Sequence, residues 1–428
     1  MAIRIPNTRT PDVVDLGRGP RFGLQLSILG AALGLQLFQG FSLGNIAQLL
    51  ALTMLMPALK LLTPRDVGLT ILFVASIAVS AVPLMLQFEV APRWPQILFF
   101  SLCVVQIAIC IRVATHIDAR TALKTPINLA ALFMVVVAAY QYGVQRLPFP
   151  DLFFDDKAHA ATSAFCLSML VLWANDGVAK SALALLVYFA GVTTASRTIF
   201  LGAPFLAIAL LIEYRKSRSA ADTPIKVYAH HLALIGVPIA AVGLAGADLA
   251  AGLLKRLTGD DTLAQSSSSA HSELARMATE LKFADVFVTL FGTGPGGFSA
   301  GVRSFGISTG NFGYYDPGAY QVLMTGFAPI HSATLSILVE FPLWVAIAFI
   351  VLIASMARRL YVQREWVLLL LLGGLLLTTS FYSSHNEYFY TAYLGALCVV
   401  AFREVSEGSN KSLDIPRGRL NDETTKRY

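Results

Sequence analysis

From Phe22 onward the chain is a succession of apolar stretches, each as long, or nearly as long, as the hydrocarbon core of a bilayer is thick. Inside such a core backbone N–H and C=O groups find no water, so runs of this kind have to be helices that satisfy their own hydrogen bonds. The stretches fall at 22–40, 43–62, 67–87, 95–113, 126–144, 158–174, 181–196, 198–213, 228–248, 331–356, 366–382 and 388–403. Twelve crossings of about 20 residues each fit the 428-residue chain with short connections between most of them. Because 158–174 and 388–403 are short, ten or eleven full crossings also satisfy the pattern. The expectation is an all-α polytopic membrane protein. Residues 1–21 form an N-terminal tail, 22–248 carry spans one to nine, and 249–330 form one large extramembrane segment. Spans ten to twelve occupy 331–403, and 404–428 form a C-terminal tail.

The basic residues test this layout independently, because cytoplasmic connections collect Lys and Arg. With the N-terminus inside, 23 of the 32 Lys and Arg fall in inside segments, among them Lys60, Arg65, Arg112, Arg120, Lys124, Lys180, Arg215 and Lys216. Only Arg93, Arg146, Lys157 and Arg197 fall in short outside turns, and the remaining five lie in the long segment, which the rule exempts. The expected topology therefore has both termini in the cytoplasm and 249–330 on the outer, periplasmic side. The formal net charge of +6 is accounted for by topology, and no nucleic-acid partner is expected.

Composition closes the other routes. The apolar types make up 56% of the chain and charged residues 14%, too few to cover the water-facing surface of a soluble protein of this size. Cys103, Cys110, Cys166 and Cys398 all sit inside apolar runs, where they read as small fillers rather than as a disulfide or zinc framework. No apolar stretch occurs in the first twenty residues, so no cleavable leader is expected and the first span serves as the insertion signal.

The 249–330 segment opens with Gly259-Asp260-Asp261 and a serine run, Ser266 to Ser269, both loop-like. From Ser272 the spacing of Leu274, Met277, Leu281, Ala284 and Val288 predicts an amphipathic helix that lies along the membrane or roofs the bundle. A glycine-rich stretch follows, Gly292-Thr293-Gly294-Pro295-Gly296-Gly297-Phe298.

Polar groups at the outer helix ends carry the candidate chemistry. Ser196-Arg197 sits between two spans with almost no loop, which holds Arg197 near headgroup depth. Its guanidinium can fork onto a phosphate, or it can snorkel to lipid headgroups. The glycine-rich stretch reads as a tight turn or as a cradle of amides for an anion or sugar. It lacks the GK[ST] ending of a nucleotide-phosphate loop. His331, at an outer helix end, can take a proton from an attacking hydroxyl, or can be an interfacial histidine bonded to backbone. Glu340 lies two and a half turns further along, about 13 Å away and on nearly the opposite side, so it reads as a buried structural acid rather than as a dyad partner. Arg276 with Glu280 reads first as an exposed ion pair. Asp155, Asp156 and His159 read as an acidic helix start rather than as a metal site, and Glu387, after His385-Asn386, is a minor candidate for contact with an acceptor. No Asp-x-Asp occurs, and the first outer turn, Gly40 to Gly44, carries no acid. Both absences disfavour glycosyltransferases that rely on those carboxylates.

In order and in sidedness, the stretch from Thr193 to Leu352 resembles the bacterial O-antigen ligase and polysaccharide polymerase superfamily. The matching features are Ser196-Arg197 at the junction of spans seven and eight, a long outer segment after span nine and an Arg-led helix at Arg276. The Gly-x-Gly-x-Gly-x-Phe run ending at Phe298 follows, then His331-Ser332-x-x-Leu335 and Glu340. Pro342 stands where that family usually has Gly, and no aromatic follows Arg276. The resemblance implies a GT-C-like membrane fold and transfer of a glycan from undecaprenyl diphosphate to an acceptor hydroxyl on the periplasmic face, without metal or cofactor. It implies His331 as base, Arg197, Arg276 and Ser196 on the diphosphate, and Gly294, Gly296 and Phe298 along a substrate groove. Polymerisation of an exopolysaccharide or O-antigen is the favoured expectation, with transfer to lipid A–core as the alternative. A twelve-span transporter or flippase is a further alternative, disfavoured by the unlike halves of the chain.

Overall fold

A computed structural model describes residues 18–403 apart from 39–40, 92, 148, 178, 220–261 and 382–386. The expected span at 228–248, most of the N-terminal tail, the C-terminal tail, Gly259-Asp260-Asp261 and His385-Asn386 lie outside the described residues. What is described is almost entirely helical, with one short antiparallel hairpin, Gln36–Phe38 against Phe41–Ser42.

The helical bundle is built from α1 (Gly19–Gly30), α2 (Leu43–Leu55), α3 (Pro64–Val79), α4 (Val82–Leu86), α5 (Trp94–Val113), α6 (Ala119–Gly143), α7 (Lys157–Ala174), α8 (Ala179–Thr193) and α9 (Thr198–Ser219). After the undescribed stretch the chain forms α10 (Thr262–Lys282), α11 (Val286–Phe291), α12 (Phe298–Ser304), α13 (Phe312–Tyr315), α14 (Pro317–Thr325) and α15 (Ala333–Glu340). It returns to the bundle with α16 (Leu343–Val362), α17 (Trp366–Ser380) and α18 (Tyr388–Ala401). Starts are sealed by side chains that accept the free N–H groups of the first turn: Ser42 with Asn45, Thr63 with Asp66, Asp118 and Asp156.

Among the described residues, five helical stretches are long and apolar enough to cross a membrane: Leu43–Leu61, Trp94–Val113, Ala119–Gly143, Thr198–Lys216 and Leu343–Val362. Shorter apolar helices occupy Ala179–Thr193, Trp366–Ser380 and Tyr388–Ala401. Three expected spans have different ends. Stretch 22–40 stops being helical at Gly30 and turns into the hairpin. Stretch 67–87 breaks at Ser80-Ala81, because Pro83 has no N–H to continue the ladder. Stretch 331–356 is divided by extended Phe341 and by Pro342, so the long helix begins only at Leu343. The serine run is also corrected. It lies inside α10, because an apolar face that includes Ala270, Leu274, Met277, Ala278 and Leu281 packs into a core and outweighs the weak helix preference of serine.

There are two principal cores. The larger one fills the bundle around α7, whose residues 158–174 are all buried, and α18, buried along its length. Alanines and serines on α7 let its neighbours come close. Ser163 Oγ bonds the carbonyl of Ala31 and the Tyr393 hydroxyl, both at 2.8 Å, joining α7 to the end of α1 and to α18. Phe165, a bulky wedge on this helix, fits because glycines face it: a Cβ on Gly202 would lie 2.5 Å from its ring, and one on Gly374 would lie 2.3 Å away. The second core holds Phe88 together with residues of α10 to α15, forming a cap over one end of the bundle. The opposite end carries the ion pairs Arg112–Asp66, Arg120–Asp176, Lys180–Glu213 and Arg403–Glu365.

Gly374→Val is expected to cost about 1–3 kcal/mol through overpacking against Phe165. Thermal unfolding in detergent should show this, and adding Phe165→Leu should recover part of the loss; equal losses with and without the second change would show that the wedge is not the cause.

Candidate functional site

The cavity at the capped end has a volume of about 600 Å³. Its bundle half comes from Ala158 at the start of α7, the Ala195 to Thr198 junction, Leu201, and Ser380-Phe381 at the end of α17. Its cap half comes from Ser268, His271, Ser272 and Ala275 on α10, and from Ile330, His331, Ser332 and Leu335 around the start of α15.

Two turns set the geometry. Between α8 and α9 the chain reverses within a few residues, with Ala195 in the left-handed region at φ +54°. The Thr194 and Ser196 hydroxyls absorb the local donors: Ser196 N–H donates to Thr194 Oγ1 at 3.2 Å, and the Ser196 and Thr198 hydroxyls bond each other. This leaves Arg197 exposed at the cavity, its Nη1 donating to Ser268 Oγ at 3.0 Å. His331 is the second non-glycine residue of the lining in the left-handed region, at φ +56°. Such a conformation costs about 1–2 kcal/mol for a residue with a side chain, and residues held this way cluster at functional sites. Ser332 follows in extended backbone and caps α15 by accepting the Leu335 N–H.

The structure therefore brings Ser196, Arg197 and His331 to one cavity. It also brings in His271, which the sequence reading did not single out. The two imidazoles meet edge to face, with ring centroids 5.3 Å apart and planes at 73°. His331 belongs to the cap and precedes the helix that begins at Leu343. Burial, followed by the neighbouring His271, pushes its pKa down to about 4, so the ring is neutral at neutral pH. Burial and then Arg197 lower His271 as well, partly offset by Asp316.

Arg276 is not part of this lining. It stands five residues beyond His271, well round the helix at about 100° per residue, and is held by Glu273, Glu280 and the Ser308 carbonyl at 2.9, 2.6 and 2.6 Å. Gly294, Gly296 and Phe298 do not line it either. Thr293 and Gly294 donate their N–H groups to the carbonyls of Val339 and Glu340, and Phe298 is fully buried in the cap core. The Glu340 carboxylate, 6% exposed, accepts the amides of Gly296 and Phe298. Gly294 and Gly296 have φ of +82° and +74°, and a Cβ on Gly296 would lie 2.6 Å from Arg93 Cδ, so the glycines are needed for this turn. Arg93, stacked over the Phe327 ring at 4.1 Å, shares a separate cavity of about 200 Å³ with Gly296 and Glu340. Glu340 thus anchors the far end of the short helix that begins beside His331.

Among the described residues, Asp155, His159 and Glu387 form one group able to hold a metal, with ligand atoms within 4.8 Å of one another. His159 Nδ1 lies 3.1 Å from Asp155 Oδ1 and 3.8 Å from Glu387 Oε1. A hydrogen-bonded imidazole between two carboxylates accounts for this arrangement without an ion.

Comparison with known proteins finds no matching family model and no matching curated protein.

Glu340→Ala should destabilise the cap by about 1–3 kcal/mol, because two buried amides lose their acceptor. Glu340→Gln, which keeps an acceptor oxygen, should cost less. Thermal melting and the rate of proteolysis within 283–330 measure both, and equal behaviour of the two variants would remove Glu340 from this role.

Proposed function

We propose that the chain is a membrane glycosyltransferase of the O-antigen ligase and polysaccharide polymerase type, moving a glycan from undecaprenyl diphosphate to an acceptor hydroxyl on the periplasmic face. The observation that carries this reading is the meeting of Arg197 and neutral His331, from distant parts of the chain, across one cavity of about 600 Å³. A guanidinium at the end of a helical bundle suits a lipid diphosphate, and a neutral imidazole suits an incoming hydroxyl.

In the proposed reaction the acceptor oxygen attacks the anomeric carbon while the bond from that carbon to the diphosphate oxygen breaks. The acceptor proton passes to His331, and undecaprenyl diphosphate leaves with the bonding pair. Charge developing on the leaving oxygen is balanced by Arg197, whose position Ser268 fixes, with the Ser196 hydroxyl on the same side. Attack opposite the leaving group inverts the anomeric centre, and the scheme requires neither metal nor cofactor. Within this reading we favour polymerisation, in which the acceptor is another lipid-linked repeat unit, over transfer to lipid A–core. Cells lacking the protein should then keep single repeats on the lipid; long chains stranded on undecaprenyl diphosphate would instead identify a ligase.

Purified protein given lipid-linked glycan in detergent should turn over with a chelator present, and His331→Ala or Arg197→Ala should reduce turnover by at least about 100-fold. Full activity in either variant would overturn the assignment. Arg197→Lys should also fail, because an ammonium cannot make the paired contact; a silent Arg197→Lys would mark a lipid anchor. The acidic limb of kcat/KM belonging to His331 should lie near its depressed value of about 4 rather than near 6.5, since activity is lost only when the base becomes protonated.

A further inference from the structure

Among the described residues, the cavity that holds Arg197 and His331 has one more ionisable side chain in its lining, His271. We infer that His271 is a second anion-binding group of this cavity and that it takes up a proton from solvent when a diphosphate enters. The inference rests on reading the cavity as a lipid-diphosphate site.

Position supports it first. Ser268, His271, Ser272 and Ala275 follow one another at the three- and four-residue spacing that places them along one face of α10, and all four line the cavity. Ser268 already holds the Arg197 guanidinium, so the imidazole one turn later is delivered to the same wall. Arg276, on the same helix, is occupied by Glu273 and Glu280 outside the cavity.

Charge supports it next. A diphosphate esterified at both ends carries two negative charges, and Arg197 balances one of them. The groups acting on His271 are Arg197, His331 across the ring contact, and Asp316 at the cap of α14. Asp156 and His159 act on His331 from the start of α7. In the free protein burial, and after it the Arg197 charge, favours the neutral form of His271. A bound diphosphate reverses the sign of that field and favours the imidazolium. Two rings 5.3 Å apart do not both hold a proton readily. His331, pushed lower by burial, stays neutral as the base, and His271 carries the charge. The sign of the linkage follows: a site that binds a proton together with its ligand binds that ligand more tightly as pH falls.

The test uses the full chain in detergent and citronellyl diphosphate N-acetylglucosamine, a short-chain lipid diphosphate sugar whose phosphoryl charges stay constant across the pH range used. Calorimetric titration in buffers of different ionisation enthalpy counts the protons taken up. Wild type should take up about half a proton on average between about pH 8 and about pH 6 and so bind about tenfold more tightly at the lower pH. His271→Asn should bind weakly with no uptake and a flat pH profile. His271→Lys should restore affinity, again with a flat profile. Unchanged proton uptake in either variant, with Arg197→Ala still abolishing binding, overturns the role of His271 and leaves the diphosphate reading intact. Wild type that fails to bind the probe, or binding indifferent to Arg197→Ala, overturns the diphosphate reading and this inference with it.

Discussion

Close packing around the helix Lys157–Ala174 is the constraint on which the rest of the molecule hangs. A helix buried on every side must present small residues wherever a neighbour crosses it, and any bulky residue it keeps needs a gap in the partner. Phe165 has such gaps at Gly202 and Gly374, on two helices that would otherwise be unrelated. With α9 and α17 seated there, the turn before α9 and the last residues of α17 arrive at the same end of the bundle. Asp155, Asp156 and His159 arrive there too, because they begin the central helix itself. The bundle half of the cavity is therefore a by-product of core packing at a distance.

The cap half has its own core and its own logic. Helix α10 is amphipathic in the ordinary sense, but its polar side is divided. One strip, from Ser268 to Ala275, looks into the cavity, and another, carrying Glu273, Arg276 and Glu280, looks away. The short α15 spans the space between two anchors, with the His331 turn at its start and the Glu340 carboxylate under the glycine run at its end. The glycine run supplies backbone, first as amide donors to Glu340 and then as a surface without Cβ atoms against Arg93.

Apolar runs made the helical class and most helix positions legible, because burial in lipid or in core needs the same residues. They hid the breaks. Gly30, Ser80 to Pro83 and Phe341-Pro342 interrupt stretches whose hydropathy is continuous, since hydropathy averages over the residues at which a ladder stops. Ser196, Arg197 and His331 stand out individually as polar residues at helix ends, but their meeting depends on how α10 and α15 settle over the bundle, which no spacing encodes. His271 was hidden by the serine run. Reading that run as loop starts the helix one residue too late, although carrying the apolar face back one turn from Leu274 to Ala270 takes the helix through it. Arg276 illustrates the reverse case: the right residue type on the right helix, turned away by its angular position and occupied by two carboxylates.

Ala195 and His331 carry their left-handed backbone at the two places where the bundle and the cap approach each other. The strain of the site is thus stored in the main chain, while the Arg197 side chain is exposed and that of His331 only partly buried. The shape of the cavity and the chemistry along its wall are separately encoded. A lineage could exchange the polar groups along the wall, and with them whatever the cavity takes up, while the turns and the core that define the chamber stay as they are.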